Sequence, residues 1–534
     1  MVTLEAPALD QLWERAWWHE ENTGKTMQGH VVDADVDFFQ VAYHEISNEL
    51  ESWQLLINVA DAPALCVYFE SFHLPVGGLL TLESPEGVFE VPYIEGPADY
   101  QENNDHGLYV TAEVPGEMGL LRYTQPVGTV GTPTFKINGV GVLFRYLWLD
   151  GEYDLLFENN RGSDPCEVNV NCPEGDDWLC QRDAVVRLRI TQDGGQFLCS
   201  GAMVNNTAQD CKQLLLSSFH CADAVEEDEW AFVQVRYNYE FFECDGTSSF
   251  NSHTRTGVTF LTSSNDAVGP NINGSDFLLL EVEDNVFDSW TPFFAGWDVS
   301  GENPEEGVGI HHPAGDRKKI STYSNSPSNS SVYHPGAHWR VYWVETETNH
   351  GVTEGGSSGS PLFDQNRRIV GTLTGGASFC TNPTAPDYYG KMSYHWDGNN
   401  PIPEAEKLFN FLDPLGTGAE VLDGSYRTEF EMPCAEQSVC GTVDIEEEWL
   451  RKNEWSLIPN PANSMVTLQW SGDLKASEVR LYDQMGRPVE VVSLSGLQSP
   501  QFSVAHLASG LYYVTLQTEG GATATRKLLV ASAQ

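Results

Sequence analysis

The most informative stretch is Gly-Gly-Ser-Ser-Gly-Ser-Pro at residues 355–361, which is followed by the apolar pair Leu362-Phe363. A serine between glycines is a candidate nucleophile, because small neighbours allow a tight turn and let a substrate carbonyl approach the Ser358 hydroxyl. The backbone amides of Gly356 and Ser358 are candidates for an oxyanion hole, which stabilises the oxygen that becomes negative during attack. By itself, however, the same string also describes a polar turn between two strands.

Two upstream stretches favour the catalytic interpretation. Residues 214–221 are an apolar run that ends in a histidine, His220, and residues 274–280 place Asp276 at the start of another apolar run. The chain order His, Asp, Ser is that of the chymotrypsin-like triad and differs from the orders in subtilisins and α/β-hydrolases. A single histidine or aspartate at a strand end is more often a satisfied polar group, but the three in this order predict a triad of His220, Asp276 and Ser358.

Motifs between Cys166 and Gly424 resemble the secreted bacterial lysyl endopeptidases of the trypsin-like superfamily. They lie at residues 166–176, 199–201, 204–208, 295–298, 310–313, 351–354, 412–414 and 417–419. The resemblance implies two six-stranded antiparallel β-barrels at residues 162–425, with the site in the cleft between them. His220 and Asp276 would then come from the first barrel and Ser358 from the second.

The resemblance also implies lysine specificity, through Asp387. This residue stands where these enzymes carry the aspartate at the base of the pocket for the side chain that precedes the cut. A carboxylate in a dry pocket rejects neutral side chains and is satisfied by a lysine ammonium. Whether arginine is accepted too depends on the depth of the pocket, and the alternative for Asp387 is a solvated loop aspartate. Thr374, Gly375 and Gly376 are expected to bind the substrate backbone, although the family carries histidine where Thr374 stands.

The eleven cysteines favour an oxidising compartment, because cytosolic enzymes rarely carry so many. The resemblance implies three disulfides, Cys166–Cys380, Cys172–Cys244 and Cys199–Cys221. Further candidate pairs are Cys180 with Cys211 and Cys434 with Cys440. Cys66 is then left over, and its apolar surroundings predict an inert buried thiol.

Composition restricts the class of protein and its partners. A formal net charge of −49, from 28 basic and 77 acidic residues, argues against nucleic acid or anionic lipid as a partner and favours cationic substrates. Abundant glycine, many aromatic residues and few helical patterns predict an all-β protein. C-x-x-C zinc spacing is absent, and the adjacent His311 and His312 would point to opposite faces of a strand, so neither a metal nor another cofactor is expected. A monomer is expected.

The remaining segments predict secretion. No run of 18 apolar residues marks a transmembrane helix. Residues 1–30 also lack the apolar core of a signal peptide; because the cysteines favour an exterior location, the true leader is expected to be missing from the given start. Residues 456–534 resemble the C-terminal sorting domain of type IX secretion in Bacteroidetes, a small β-sandwich, which implies the secretion machinery as a partner and a secreted or cell-surface location. An adhesion-type sandwich is the alternative there.

Two further segments flank the protease-like region. Residues 1–161 alternate between strand and turn signals and predict a β-sandwich, which the resemblance identifies as a pro-domain; a carbohydrate- or surface-binding module is the alternative. The polar junction before Cys166 suggests a maturation cut after Arg161, and the acidic residues 426–455 form a linker. Ser357 stands where vertebrate digestive proteases carry the aspartate that receives the new N-terminus, so activation is expected from removal of an inhibitory pro-domain.

Together these features predict a secreted serine endopeptidase that cleaves after basic residues, with lysine preferred, through an acyl-enzyme. Its substrates would be proteins or peptides with lysine at the cut, and it would be made as a zymogen. The alternative from another class is a catalytically decayed protease scaffold that acts as a surface-binding or adhesion protein. The intact triad argues against that alternative.

Overall fold

A computed structural model describes residues 1–47, 49–84, 98, 102–145, 162–246, 252–266, 274–283, 286, 290–399, 403–426, 455–470, 476–483, 488–494, 501–518 and 523–530. Strands predominate in these residues, so the predicted all-β class is confirmed. The chain divides into two compact units, residues 1–437 and 438–534. Arg161 and nearly all of the predicted acidic linker lie outside the described residues. Within the described part, no helix combines the length and apolarity that a membrane crossing requires.

The first 145 residues form two sheets that share one core. The elements are β1 (Val2–Leu4), α1 (Leu9–Thr23), β2 (Thr26–Asp37), α2 (Phe38–Val41), β3 (Tyr43–Ile46), β4 (Leu50–Val59), β5 (Ala64–His73), β6 (Leu79–Glu83), β7 (Tyr109–Val110), β8 (Val114–Pro115), β9 (Met118–Pro126) and β10 (Thr134–Leu143). One sheet has the order β1-β4-β9-β6, with β3 beside β4, and the other contains β2-β10-β5-β7, with β8 beside β5. Side chains from both sheets, such as Leu121 and Phe69, are fully buried in the same cluster. This is the predicted β-sandwich.

The rest of the first unit carries the candidate site. Its elements are β11 (Val168–Asn169), α3 (Leu179–Ala184), β12 (Val185–Gln192), β13 (Gly195–Met203), β14 (Leu214–Ser217), β15 (Gln234–Tyr237), β16 (His253–Thr256), β17 (Val258–Ser263), β18 (Leu278–Val282), β19 (Phe293–Phe294), β20 (Trp297–Asp298), β21 (Gly307–His311), β22 (Lys319–Tyr323), β23 (Ser328–Ser330), β24 (His338–Val341), β25 (Pro361–Asp364), β26 (Ile369–Gly376), β27 (Asp387–Lys391), α4 (Met392–Asp397), α5 (Phe409–Leu412), β28 (Val421–Leu422) and β29 (Ser425–Tyr426).

The strands from β12 to β18 close into a barrel. β12 pairs with β13 and β15, and β14 joins β13 to β18. β16 and β17 meet at Gly257, so that they act as one bent strand, with β16 on β15 and β17 on β18. Gly257 has φ +96°, a conformation that residues with side chains rarely adopt, which explains why the bend falls on a glycine. The result is a closed ring of six strands with antiparallel neighbours.

A second ring follows it. β21 pairs with β22 and β25, β26 joins β25 to β27, and β24 pairs with β27. The amide of Val344, just beyond β24, donates to the carbonyl of Thr322 in β22 at 2.9 Å and closes the circuit. Two six-stranded antiparallel barrels are the architecture that the sequence predicted.

One strand belongs both to a barrel and to the N-terminal sandwich. β13 of the first barrel pairs with β2, so that a single sheet runs from the barrel into the N-terminal region. Phe197 of β13 is buried in the core of that region. The sequence suggested separate domains here, and it held no signal for the shared sheet, because pairing between distant strands leaves no local pattern.

The second unit is a small sandwich of its own. It consists of β30 (Trp455–Ile458), β31 (Met465–Trp470), β32 (Ala476–Asp483), β33 (Pro488–Ser493), β34 (Gln501–Ser503), β35 (Gly510–Thr518) and β36 (Thr523–Val530). The two sheets have the orders β30-β31-β34 and β33-β32-β35-β36. Apolar side chains from both sheets, including Val466 and Val514, are completely buried in one cluster.

Candidate active site

His220 lies on a short 3₁₀ turn, Phe219–Cys221, that follows β14. Its Nδ1 is 2.7 Å from Asp276 Oδ2, and its backbone amide donates to Asp276 Oδ1 at 2.9 Å. Both side chains are buried. Because a carboxylate only accepts hydrogen bonds, Nδ1 carries the ring proton in neutral His220, and Nε2 is left as the basic nitrogen.

Asp276 is held in an unusual backbone conformation. Its φ of +61° lies in the left-handed region, which costs energy for a residue with a side chain. The strain is supported from outside, because the Asp276 amide donates to Asp266 Oδ2 at 2.7 Å and the neighbouring Ser275 amide donates to Asn399 Oδ1 at 2.9 Å. Burial, and to a lesser degree the negative charge of Asp276, raises the pKa of Asp266 to about 6. Sequence reasoning missed Asp266 and Asn399, since neither belongs to a motif.

Ser358 lies in the loop before β25, against the turn that carries His220. Its carbonyl accepts a hydrogen bond from the Ser200 amide at 2.8 Å. A β-carbon added to Gly359 would collide with the Ser217 side chain and would lie only 2.8 Å from the Ser218 amide, so the glycine permits this close approach. The structure therefore places the loop of Ser358 against the segment that leads to His220.

The amides next to Ser358 fit the predicted oxyanion hole. Ser357, Gly359 and Ser360 donate their amides to backbone carbonyls. In contrast, the amides of Gly356 and Ser358 have no hydrogen-bond partner within the described residues. Gly356 has φ +95°, which only glycine adopts without strain, and this conformation turns the peptide within the loop. Two unpaired donors beside one hydroxyl can bind an oxyanion.

Asp387 opens β27 and is fully buried. Its Oδ2 accepts from Trp343 Nε1 at 2.6 Å, from the Thr353 hydroxyl at 2.7 Å and from the Ser378 hydroxyl at 2.6 Å. Burial raises the pKa of Asp387, although the hydrogen bonds to the carboxylate oppose that rise. The solvated-loop alternative is therefore wrong for this residue.

The other carboxylate oxygen of Asp387 faces the cleft strand β26. Within the described residues, Oδ1 accepts only the Ser378 amide, at 3.1 Å. A β-carbon on Gly376 would overlap with Oδ1, so that only glycine leaves room beside this oxygen. An oxygen with spare acceptor capacity can bind a cation.

Thr374 and Gly375 precede Gly376 on the same strand. The hydroxyl of Thr374 is 3.0 Å from His338 Nε2, and the Tyr333 hydroxyl lies against Gly375, 3.1 Å from where a β-carbon would be. Burial lowers the pKa of His338 to about 4, so that its ring is neutral near pH 7. Sequence reasoning missed His338 and Tyr333, which reach the cleft from β24 and from the loop before it.

The rings of His311 and His312 form hydrogen bonds with neighbouring residues of the fold. The ring of His311 is 2.8 Å from the Ser357 hydroxyl and 3.1 Å from that of Ser321, while His312 Nδ1 is 2.8 Å from the Asp316 carbonyl. Burial lowers the pKa of His311 to about 3. The different partners agree with the expectation that the two rings point away from each other. The hydroxyl of Ser357 is engaged by its hydrogen bond to His311.

The disulfides implied by the resemblance are confirmed. Cys166–Cys380, Cys172–Cys244 and Cys199–Cys221 are all formed, and the last of these ties β13 to the residue after His220. Cys180 and Cys211 are also disulfide-bonded, while Cys434 and Cys440 lie outside the described residues. Cys66 is free and buried, and burial raises the pKa of its thiol, as expected for an inert cysteine.

Two closed barrels with a histidine–aspartate pair on one and a serine loop on the other place the chain in the chymotrypsin-like fold class. Residues 161–390 match the family described as "Lysyl endopeptidase, C-terminal domain". Residues 456–531 match "Secretion system C-terminal sorting domain". Both resemblances predicted from the motifs are thus confirmed, and the sorting domain makes the chain a secreted or cell-surface protein.

Known proteins resemble parts of this chain. A lysyl endopeptidase of Pseudomonas aeruginosa is 31% identical over 261 residues, which are 46% of this chain and 53% of that protein. The chain thus spans about half the length of that relative. Among solved structures, the protease Anisep from Arthrobacter nicotinovorans is 16% identical with a TM-score of 0.28, covering 39% of this chain and 90% of its own. A Glu endopeptidase is 15% identical with a TM-score of 0.27, and the match covers 46% of this chain and 95% of that protein.

Proposed function

We propose that residues 162–425 are a serine endopeptidase that cuts peptide bonds after lysine. The observation that carries this proposal is the His220–Asp276 pair packed against the Ser358 loop, beside two amides that have no partner among the described residues. The match of residues 161–390 to the lysyl endopeptidase family supports the same conclusion.

In the proposed mechanism, Ser358 attacks the carbonyl carbon of the scissile peptide bond while His220 Nε2 accepts the hydroxyl proton. Asp276 keeps the ring in the required tautomer and stabilises the imidazolium that forms. The Gly356 and Ser358 amides bind the oxyanion of the tetrahedral intermediate. His220 then gives the proton to the leaving amine, and water releases the acyl group from Ser358 by the same steps in reverse.

Lysine specificity rests on Asp387. Its Oδ1 atom would accept the ammonium of the substrate in a buried site, where an unpaired carboxylate is costly. Neutral side chains would leave that carboxylate without a counter-charge, and acidic ones would be repelled. The strand Thr374–Gly376 would bind the substrate backbone through its own peptide groups, as a neighbouring strand does.

The first experiment is hydrolysis by the full chain of three matched p-nitroanilides, with lysine, norleucine or glutamate before the anilide. We expect lysine to give the highest kcat/KM, by at least about 100-fold over norleucine, because only the ammonium neutralises a buried carboxylate. Preference for glutamate would contradict the pocket assignment. No hydrolysis of any of the three, together with no labelling of Ser358 by a fluorophosphonate, would instead favour the decayed scaffold.

Asp266 provides a test through pH. Since its pKa is raised to about 6, Asp266 is neutral below that pH and ionised above it. Asp266→Asn keeps an oxygen that can accept the Asp276 amide but never gains the charge, which would otherwise help to stabilise the imidazolium. We expect the kcat of this variant to equal that of the native chain at pH 5 and to fall to about one tenth of it at pH 8.

Asp266→Ala is the matched comparison. It removes the acceptor as well as the charge, so its kcat should be reduced at every pH, while KM stays unchanged. Equal pH profiles for Asp266→Asn and the native chain would show that Asp266 supports only the fold. Among the described residues, the titratable groups that interact with Asp266 are Asp276 and Tyr394, and Tyr394 does not ionise in this range because burial raises its pKa.

The C-terminal unit would interact with the type IX secretion machinery. This partner is proposed from the match of residues 456–531 to a sorting domain. The test is secretion of the chain with and without that domain from a type IX-competent bacterium, and secretion that does not require the domain would contradict the proposal.

A further inference from the structure

The edge of β13 beside the candidate site is covered by the N-terminal region. Leu198 pairs with Thr26 and Phe197 pairs with Met27, where β2 begins. Two residues beyond Leu198, the Ser200 amide donates to the Ser358 carbonyl at 2.8 Å. Two residues of a strand span about 7 Å. The start of β2 therefore lies about this far along the sheet from Ser200, the residue that binds the Ser358 carbonyl.

The same end of β2 contacts the oxyanion loop. A β-carbon on Gly355 would collide with the hydroxyl oxygen of Thr26, which is itself buried. Lys25, one residue earlier, forms a buried ion pair with Asp223, three residues after His220. Thr26 and Lys25 therefore lie between the two loops that carry Ser358 and His220.

The position of Lys25 and Thr26 relative to Asp387 shows on which side of the cleft β2 lies. The substrate residue before the cut would place its side chain beside Gly376 and Asp387, on β26 and β27 of the second barrel. β2 instead lies on β13 of the first barrel, and the ammonium of Lys25 is paired with Asp223. The described N-terminal strand thus lies on the first-barrel side of the cleft, and its lysine does not enter the acidic pocket.

A buried ion cluster holds the N-terminal region in this position. Glu113 accepts from Arg189 Nη1 and from Arg236 Nη1, both at 2.9 Å, and lies 3.7 Å from Arg187 Nη2. Burial opposes ionisation of Glu113, but the attraction of Arg189 and Arg187 outweighs it and keeps the pKa of Glu113 below its usual value. The carboxylate belongs to the N-terminal region and the three guanidinium groups to the first barrel.

We infer that β2 is a tethered inhibitor that occupies, by strand pairing on β13, the place of substrate residues after the cut and does not occupy the lysine pocket beside Asp387. This inference rests on the proposed function. Added strands of this kind bind through main-chain hydrogen bonds and exclude a second strand from the same edge. A tether keeps the effective concentration of such a strand in the millimolar range or above, so a free peptide competes poorly with it.

The test compares two substrates of the full chain with the same residues up to lysine. One ends in p-nitroanilide, and the other continues for four residues after lysine in an internally quenched peptide. We expect kcat/KM for the peptide to be at least about 100-fold below that for the anilide. Comparable values would overturn the inference and leave the proposed function standing, whereas failure to hydrolyse either substrate would contradict both.

Lys25→Met tests the contact itself. It leaves Asp223 buried without its partner and so weakens the docking of β2. We expect the peptide rate to rise at least about tenfold while the anilide rate is unchanged. Lys136→Met is the matched control, because Lys136 of β10 pairs with Asp35 and Glu70 at the surface, away from β13. An equal effect of both substitutions, or none for Lys25→Met, would count against the strand as the inhibitor.

Discussion

Ser358→Ala in the full chain is expected to lower kcat for the lysine p-nitroanilide by about 10⁴-fold or more, because the nucleophile of a triad supplies most of its rate enhancement. The substitution removes one hydroxyl from a loop held by backbone contacts, such as the bond from Ser200 to the Ser358 carbonyl. The fold should therefore persist, and unfolding monitored by circular dichroism should show the same midpoint.

Ser360→Ala is the control for this experiment. Ser360 belongs to the same glycine- and serine-rich stretch and is fully buried, but its amide is bonded to the Ser357 carbonyl and it lies outside the predicted triad. We expect this variant to retain activity and to react with a fluorophosphonate at Ser358. Undiminished hydrolysis by Ser358→Ala would end the serine-protease proposal.

Asp387→Asn should abolish the preference for lysine. The neutral amide cannot compensate a buried ammonium, and loss of one partner of a buried pair costs about 3–5 kcal/mol, which corresponds to a decrease of roughly 10²- to 10⁴-fold in kcat/KM. Hydrolysis of the norleucine anilide should stay the same or increase, because this side chain has the same four-carbon stem as lysine and no charge. A lysine preference that survives the substitution would show that another group recognises the ammonium.

The pH dependence of the native chain offers a second readout of Asp387. Its pKa is raised by burial, so that its carboxyl group takes up a proton at a higher pH than an ordinary aspartate. Binding of lysine requires the charged form. We therefore expect KM for the lysine anilide to increase as the pH falls through this raised pKa, whereas KM for the norleucine anilide should not follow the same curve.

Much of the site could be predicted from sequence because its residues stand in local motifs. The glycines around Ser358 are visible in the sequence, since tight turns and close approaches require them, and His220 and Asp276 flank apolar runs that became β14 and β18. The barrels followed from the family resemblance. Asp387 was located by the same resemblance, but its burial and its bond to Trp343 appear only in the structure.

The features that sequence reasoning missed all depend on contacts between distant segments. Asp266 supports Asp276 and His338 bonds to Thr374, yet each is a single polar residue without a neighbouring pattern. The pairing of β2 with β13 joins residues about 170 positions apart in the register, and no spacing rule specifies such a partner. Pairing between strands this far apart in the sequence is visible only in the three-dimensional structure.

The cluster around Glu113 has a consequence for maturation. A cut after Arg161 would sever the chain but would leave the shared sheet and the three arginines around Glu113 intact. The two fragments would then remain associated as a complex, and proteolytic activity toward proteins would lag behind the appearance of the nicked species on a gel. Because a complex of separate fragments dissociates on dilution, the length of that lag should depend on protein concentration.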